Sequence, residues 1–95
     1  MKKIVLITGA SKGIGKALAQ KMLSKSYFVI GTSRSQNFDF KHKNFFPLAL
    51  DLSNSRSITN AHQDIFTKFD KINILINNAG IGPGFRYPKP QTGFF

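Results

Sequence analysis

A chain of 95 residues has room for one small hydrophobic core and too few residues for two, and its 41% apolar content is that of a folded domain, not a disordered segment. With no cysteine it excludes disulfides and thiolate metal sites. Fourteen Lys and Arg against four acids, Asp39, Asp51, Asp64 and Asp70, give a formal charge of +10 that favours anionic ligands. The basic residues are scattered along the chain, so solubilising roles and a phosphate-bearing ligand are expected ahead of a nucleic-acid site.

Residues 3–8 are nearly continuously apolar, as in a strand covered on both faces of a parallel sheet. Lys2 and Lys3 precede this run, but Gly9 interrupts it early and no small-residue cleavage site follows, so a signal peptide is not expected. No apolar stretch is long enough to cross a bilayer, and a cytoplasmic location is expected. The next stretch, Thr8-Gly9-Ala10-Ser11-Lys12-Gly13-Ile14-Gly15, organises the chain: a strand delivers it into a glycine-rich turn that opens a helix. Gly9 suits the tight turn, Gly13 lets a pyrophosphate approach the backbone, and Gly15 lets the helix pack closely. The helix N-terminus adds unpaired N–H groups and a positive dipole end aimed at the same place. The spacing is Gly-x-x-x-Gly-x-Gly, and no Gly-Lys-Ser/Thr closes it, which excludes a Walker loop.

From Gly13 to about Lys25, Ile14, Ala17, Leu18 and Met22 recur at helical spacing and predict the buried stripe of a first helix. Tyr27-Phe28-Val29-Ile30 predicts a second strand and completes a βαβ unit. Residues 35–44 show no period and read as a surface connection. Phe45-Phe46-Pro47-Leu48-Ala49-Leu50 predicts a third strand, whose proline places it at an edge or at a strand start. Ser53 or Ser55 can cap a second helix running to about Phe69, with Ile58, Ala61, Ile65, Phe66 and Phe69 as its buried stripe. Residues 72–77 predict a fourth strand. His42 and His62 lack the partner spacing of a metal ligand or a base, and no metal site is expected.

In a sheet of order 3-2-1-4 the carboxyl ends of the strands bring Gly9, Arg34, Asp51 and residues 77–80 to one rim. Where an acidic residue would hold an adenosine ribose, the chain has Ser33 followed by Arg34. Arg34 and Lys12 can make charge-assisted bonds to a ribose 2′-phosphate, which favours NADP over NAD. Asp51 either accepts a bond from an adenine amino group or caps the next helix.

These residues together resemble the N-terminal part of a short-chain dehydrogenase/reductase of the NADP-preferring type. Its Thr-Gly-x-x-x-Gly-x-Gly motif matches residues 8–15, its Asn-Asn-Ala-Gly motif matches residues 77–80, and the likeness covers residues 3 to about 84. The resemblance implies a Rossmann-like α/β fold, a partial doubly wound parallel sheet truncated before its fifth strand. It implies a cofactor-binding set of Gly9, Ser11, Lys12, Gly13, Ile14, Gly15, Arg34, Asp51, Leu52, Asn77, Ala79 and Gly80. It also implies hydride transfer between a nicotinamide and an alcohol or carbonyl. The family's Tyr-x-x-x-Lys pair is not matched: Gly31 stands four residues after Tyr27 and Gln91 four after Tyr87, so no catalytic residue is assigned. The expected organisation is residues 1–84 as the dinucleotide-binding part and residues 85–95 as an irregular Pro/Gly/aromatic tail, in which Pro88 and Pro90 forbid a regular helix. No substrate site is expected here, nor the helices through which complete family members commonly form homo-oligomers. The alternatives are a non-catalytic NADP-binding module with a sensing or partner role and a basic nucleic-acid-binding protein, which would need a contiguous Lys/Arg face.

Overall fold

The computed structural model describes residues 2–78, so the expected tail at 85–95 and the site residues Ala79 and Gly80 lie outside the described residues. The elements run β1 (Ile4–Thr8), α1 (Gly13–Ser24), β2 (Phe28–Ser33), β3 (Phe45–Ala49), α2 (Ser55–Lys68) and β4 (Ile74–Asn77). All strand pairs are parallel and the order is β3-β2-β1-β4, as the sequence predicts.

The side-chain alternation of β1 builds two core layers. Val5 and Ile7 point to the α1 side with Ala19, Leu23, Val29 and Phe45. Leu6 points to the other side with Ile30, Leu48, Leu50, Ala61 and Ile65, under α2. The connection from β2 to β3 contains no helix. In its place Phe38 and Phe40 fold back on the α1-side layer and meet Phe45 with ring centroids 5.0 and 4.7 Å away. Two aromatic side chains thus do the covering that a crossover helix does in a longer connection.

Helix α1 buries a different stripe from the one the sequence predicts, and α2 buries the predicted one apart from Phe66. In α1 the buried residues are Gly15, Ala19 and Leu23, with Leu18 and Met22 partly covered, whereas Ala17 is exposed and Ile14 is 73% exposed. At its start the helix approaches the β1–α1 loop so closely that only Gly15 fits there, and the face in line with Gly15, Ala19 and Leu23 is the one buried. In α2, Ala61 and Ile65 are buried and Ile58 and Phe69 pack beside them, but Phe66 is 69% exposed, its ring against His62. The α2 cap is Asn54, not Ser53 or Ser55; its side chain accepts the Ser57 N–H at 3.1 Å.

Pro47 lies on the outer strand, as its missing N–H requires. Val29 donates to the Asn44 carbonyl and Leu50 to the Ser33 carbonyl, so the even-numbered residues of β3 bond to β2 and Pro47 faces outward. Its outward carbonyl is taken by the Gln36 side-chain amide at 3.1 Å. Gln36 reaches it from a left-handed backbone conformation, φ 60°.

Candidate dinucleotide site

The loop between β1 and α1 takes its shape from two glycines with positive φ, Gly9 at 68° and Gly13 at 62°. Four side chains on or next to the flanking strands hold it. Thr32 on β2 accepts the Gly9 N–H on its hydroxyl (3.2 Å) and the Ala10 N–H on its carbonyl (2.8 Å). On the other side the Thr8 hydroxyl donates to Asn77 Oδ1 (3.0 Å) and accepts the Asn78 N–H (2.8 Å), while Asn78 Nδ2 donates to the Gly9 carbonyl (3.1 Å). Thr8 and Thr32 are the buried polar residues of the core. In a layer otherwise made of Val, Ile and Leu their hydroxyls are affordable because each is bonded.

Gly15 fixes how close α1 comes to this loop. A Cβ there would stand 1.9 Å from the Gly9 carbonyl oxygen and 2.7 Å from Asn78 Nδ2, so only glycine fits. Gly13 is the opposite case: a Cβ would meet nothing within 4 Å, so the backbone faces open space. The α1 N-terminus opens onto that space with no side-chain cap from Lys12 and no acid in the first turn. The positive end of the helix dipole and its first N–H groups are therefore left for an anion. Ser11 is half-buried in the loop; Lys12, Gly13 and Ile14 are exposed on its outer side.

Arg34 is exposed just after β2. Asp51, after β3, accepts the Ser53 N–H (3.0 Å) and hydroxyl (2.7 Å), closing a turn ahead of α2. With Asn54 as the cap, the helix-capping alternative for Asp51 falls away. The Ser53 hydroxyl and then the Ser53 N–H hold the Asp51 carboxyl below its ordinary value; desolvation opposes them, and the field of Arg34 adds the smallest contribution. The carboxylate and guanidinium thus share one rim without forming an ion pair. Leu52 is half-buried against the α2-side core, and Asn77 ends β4 beside Thr8. Sequence reasoning missed Thr32 and Asn78 as residues that fix the loop. The readable signal was a threonine inside an apolar strand, a position that demands a partner.

The histidines have local roles. His42 Nδ1 accepts the Asn44 N–H at 3.0 Å, and the His62 ring lies 4.5 Å from that of Phe66. No group of three or more His, Cys, Asp or Glu is close enough to hold a metal among the described residues. No helix among them is long and apolar enough to cross a membrane.

A parallel sheet whose first loop presents bare amides at a helix N-terminus defines a dinucleotide-binding class of fold. The short chain dehydrogenase family profile matches residues 3–92, past the Gly84 limit drawn from the motifs, and the chain belongs to that family. It is 45% identical over 85 residues to the 3-oxoacyl-acyl-carrier-protein reductase FabG of Buchnera aphidicola, covering 84% of this chain and 35% of that protein. The short chain dehydrogenase of Leptospira borgpetersenii with bound NAD+ is similar at 35% identity and TM-score 0.75, over 85% of this chain and 32% of that one. ElxO with NADP bound is similar at 37% identity and TM-score 0.73, over 86% and 36%. The chain therefore spans about a third of the length of these relatives.

Proposed function

We propose that this chain is the NADP(H)-binding part of an oxidoreductase that moves a hydride between a nicotinamide and an alcohol or carbonyl. The observation that carries the reading is the open space over Gly13 at an uncapped, acid-free helix N-terminus, a cradle that any side chain would begin to fill. A dinucleotide pyrophosphate fits that cradle by charge and by donor chemistry. Gly9, Ser11, Lys12, Gly13, Ile14 and Gly15 form its backbone wall in this reading. In the same reading Asp51 and Leu52 flank the adenine, and Asn77, Ala79 and Gly80 complete the cofactor-binding set. When bound, the cofactor supplies or accepts the hydride. The chain's own residues bind it, orient it and choose between its phosphorylated and unphosphorylated forms. That choice falls to Lys12 and Arg34, two exposed cations beside Ser33, where no carboxylate repels a 2′-phosphate.

Fluorescence titration of the chain with NADPH and NADH tests the reading. NADPH is expected to bind about 10- to 100-fold more tightly, the range for bonds to a charged group of roughly 1.5–3 kcal/mol. Arg34→Ala is expected to lose most of that preference while leaving NADH affinity in place. Equal affinities in the unsubstituted chain would refute the NADP assignment, and absence of binding by either nucleotide would refute the site.

A further inference from the structure

In a parallel sheet every strand starts at the same end, so segments far apart in sequence that lead into strands are gathered there. In this chain those leaders are lysine-rich. Lys2 and Lys3 precede β1, Lys41 and Lys43 precede β3, and Lys71 precedes β4, all exposed. Backbone bonds tie the leaders side by side. The Phe28 N–H donates to the Lys3 carbonyl, the Val29 N–H to the Asn44 carbonyl and the Asn73 N–H to the Ile4 carbonyl, each at 2.9 Å. The helices return to this end as well, bringing Lys21 and Lys25 from α1 and Lys68 from α2. Asp70 is the one carboxylate in the same segments, and among the described residues none of these lysines is in an ion pair.

The helix-terminal lysines have a local occupation. They face the negative ends of the helix dipoles, and Lys68 also lies 5.9 Å from the Phe46 ring centroid. The five strand-leader lysines have no such partner among the described residues, and holding like charges together costs self-repulsion that the fold gains nothing from. We propose that this amino end of the sheet docks the phosphate backbone of a nucleic acid. The strand starts are spaced about 4.8 Å apart, so β3 to β4 sets the charges in a row of roughly 14 Å, a line suited to a linear polyanion. Every cation in the row is lysine, a point charge that tolerates many phosphate orientations. Among the described residues no arginine stands there to read a base edge, so binding is expected to be independent of sequence. A membrane surface would also want exposed apolar side chains among the charges. The large exposed ones among the described residues are Ile14, at the other end, and Phe66 and Leu75, which are outside the strand leaders but on the last turn of α2 and the second position of β4, so vesicles serve as the competing probe. The dinucleotide rim is at the other end of the strands, so this surface stands independently of the proposed cofactor site.

The test is fluorescence anisotropy of the chain with short labelled duplex DNA and single-stranded RNA over a salt series. Binding to either probe is expected, with log affinity falling linearly against log salt. The triple variant Lys3→Gln, Lys43→Gln, Lys71→Gln is expected to weaken binding at least about tenfold and to flatten the duplex slope by about 0.9 per lysine removed. Arginine at the same three positions should preserve both, which separates charge loss from misfolding. A variant of equal net charge at the other end, Lys12→Gln, Arg34→Gln, Arg56→Gln, should keep nucleic-acid affinity within about threefold, and NADPH added to the unsubstituted chain should not compete. Equal losses in the two glutamine variants, competition by NADPH, no binding to either probe, or binding to phosphatidylserine vesicles in preference to both would each overturn the proposal.

Discussion

The loop after β1 and the connection after β2 leave the same end of the sheet side by side, yet they are fixed by different forces. The first is held by directional contacts: the Thr8 and Thr32 hydroxyls and the Asn77 and Asn78 side chains engage it, and α1 presses on it through Gly15. The second is held by Phe38 and Phe40 lying on the core, and its polar contacts are all exposed: the Lys16–Asp39 ion pair at 2.8 Å, the Gln36 amide on the Pro47 carbonyl and His42 Nδ1 accepting the Asn44 N–H. Hydrogen bonds fix atoms to fractions of an ångström, whereas apolar packing fixes a segment but tolerates rearrangement. The chain spends its polar core residues where a ligand would need backbone amides at set positions. It secures the other connection mainly by burying Phe38 and Phe40, with polar contacts only at its exposed positions.

Gly15→Ala breaks that arrangement most severely. The new methyl collides with the Gly9 carbonyl, so loop and helix must separate; the cost is about 2–3 kcal/mol, at the upper end for overpacking. Titration should show NADPH affinity lowered about 30-fold or more together with a lower unfolding midpoint. Phe40→Ala attacks the other connection and should separate the two properties. Because the ring is only partly buried, the loss should be about 1–2 kcal/mol, below the 3–5 of a full core Phe→Ala change. Circular dichroism melts should register it while NADPH affinity stays within about threefold. A matching fall in affinity would mean that the two connections are coupled.

Asp39→Asn should have the smallest effect and sharpens the comparison by its pH dependence. The hydrogen bond from Lys16 holds the Asp39 carboxyl below its ordinary value, with the lysine's charge adding to it and slight desolvation opposing. A carboxyl with a lowered folded pKa contributes stability above its unfolded pKa, near 3.9, and loses it as pH falls through the folded value. Melts at neutral pH should therefore show the variant slightly less stable than the parent. The gap should close on acidification and also in concentrated salt, where the screening length is about 3 Å at 1 M.

The strand order and the place of the glycine loop were legible because apolar runs, glycine spacing and short connections leave few parallel topologies open. The buried face of α1 was not, nor was the exposure of Phe66 on α2. Hydrophobicity nominated Ile14 and Phe66, but close packing selected Gly15 and Ala19 in α1, and the approach angle of α2 left Phe66 outside. Thr32 looked like the end of a strand because its value lies in a hydroxyl aimed at Gly9, a contact between residues 23 apart. The lysines looked scattered for a related reason. Their proximity is a property of strand direction, which a linear reading of charge does not contain.

The pairing of Pro47 with Gln36 has a consequence at a larger scale. A β-sheet is a hydrogen-bonded polymer of strands, and an open edge is its growing end. At the middle of β3 the proline presents no donor and the glutamine amide occupies the carbonyl, so the outward face there has nothing to offer an incoming chain. β3 is in that sense a chain terminator. A strand added beside β3 would meet a ladder broken at its middle, whereas β4 forms the other edge of the sheet, so the two edges differ in what they offer.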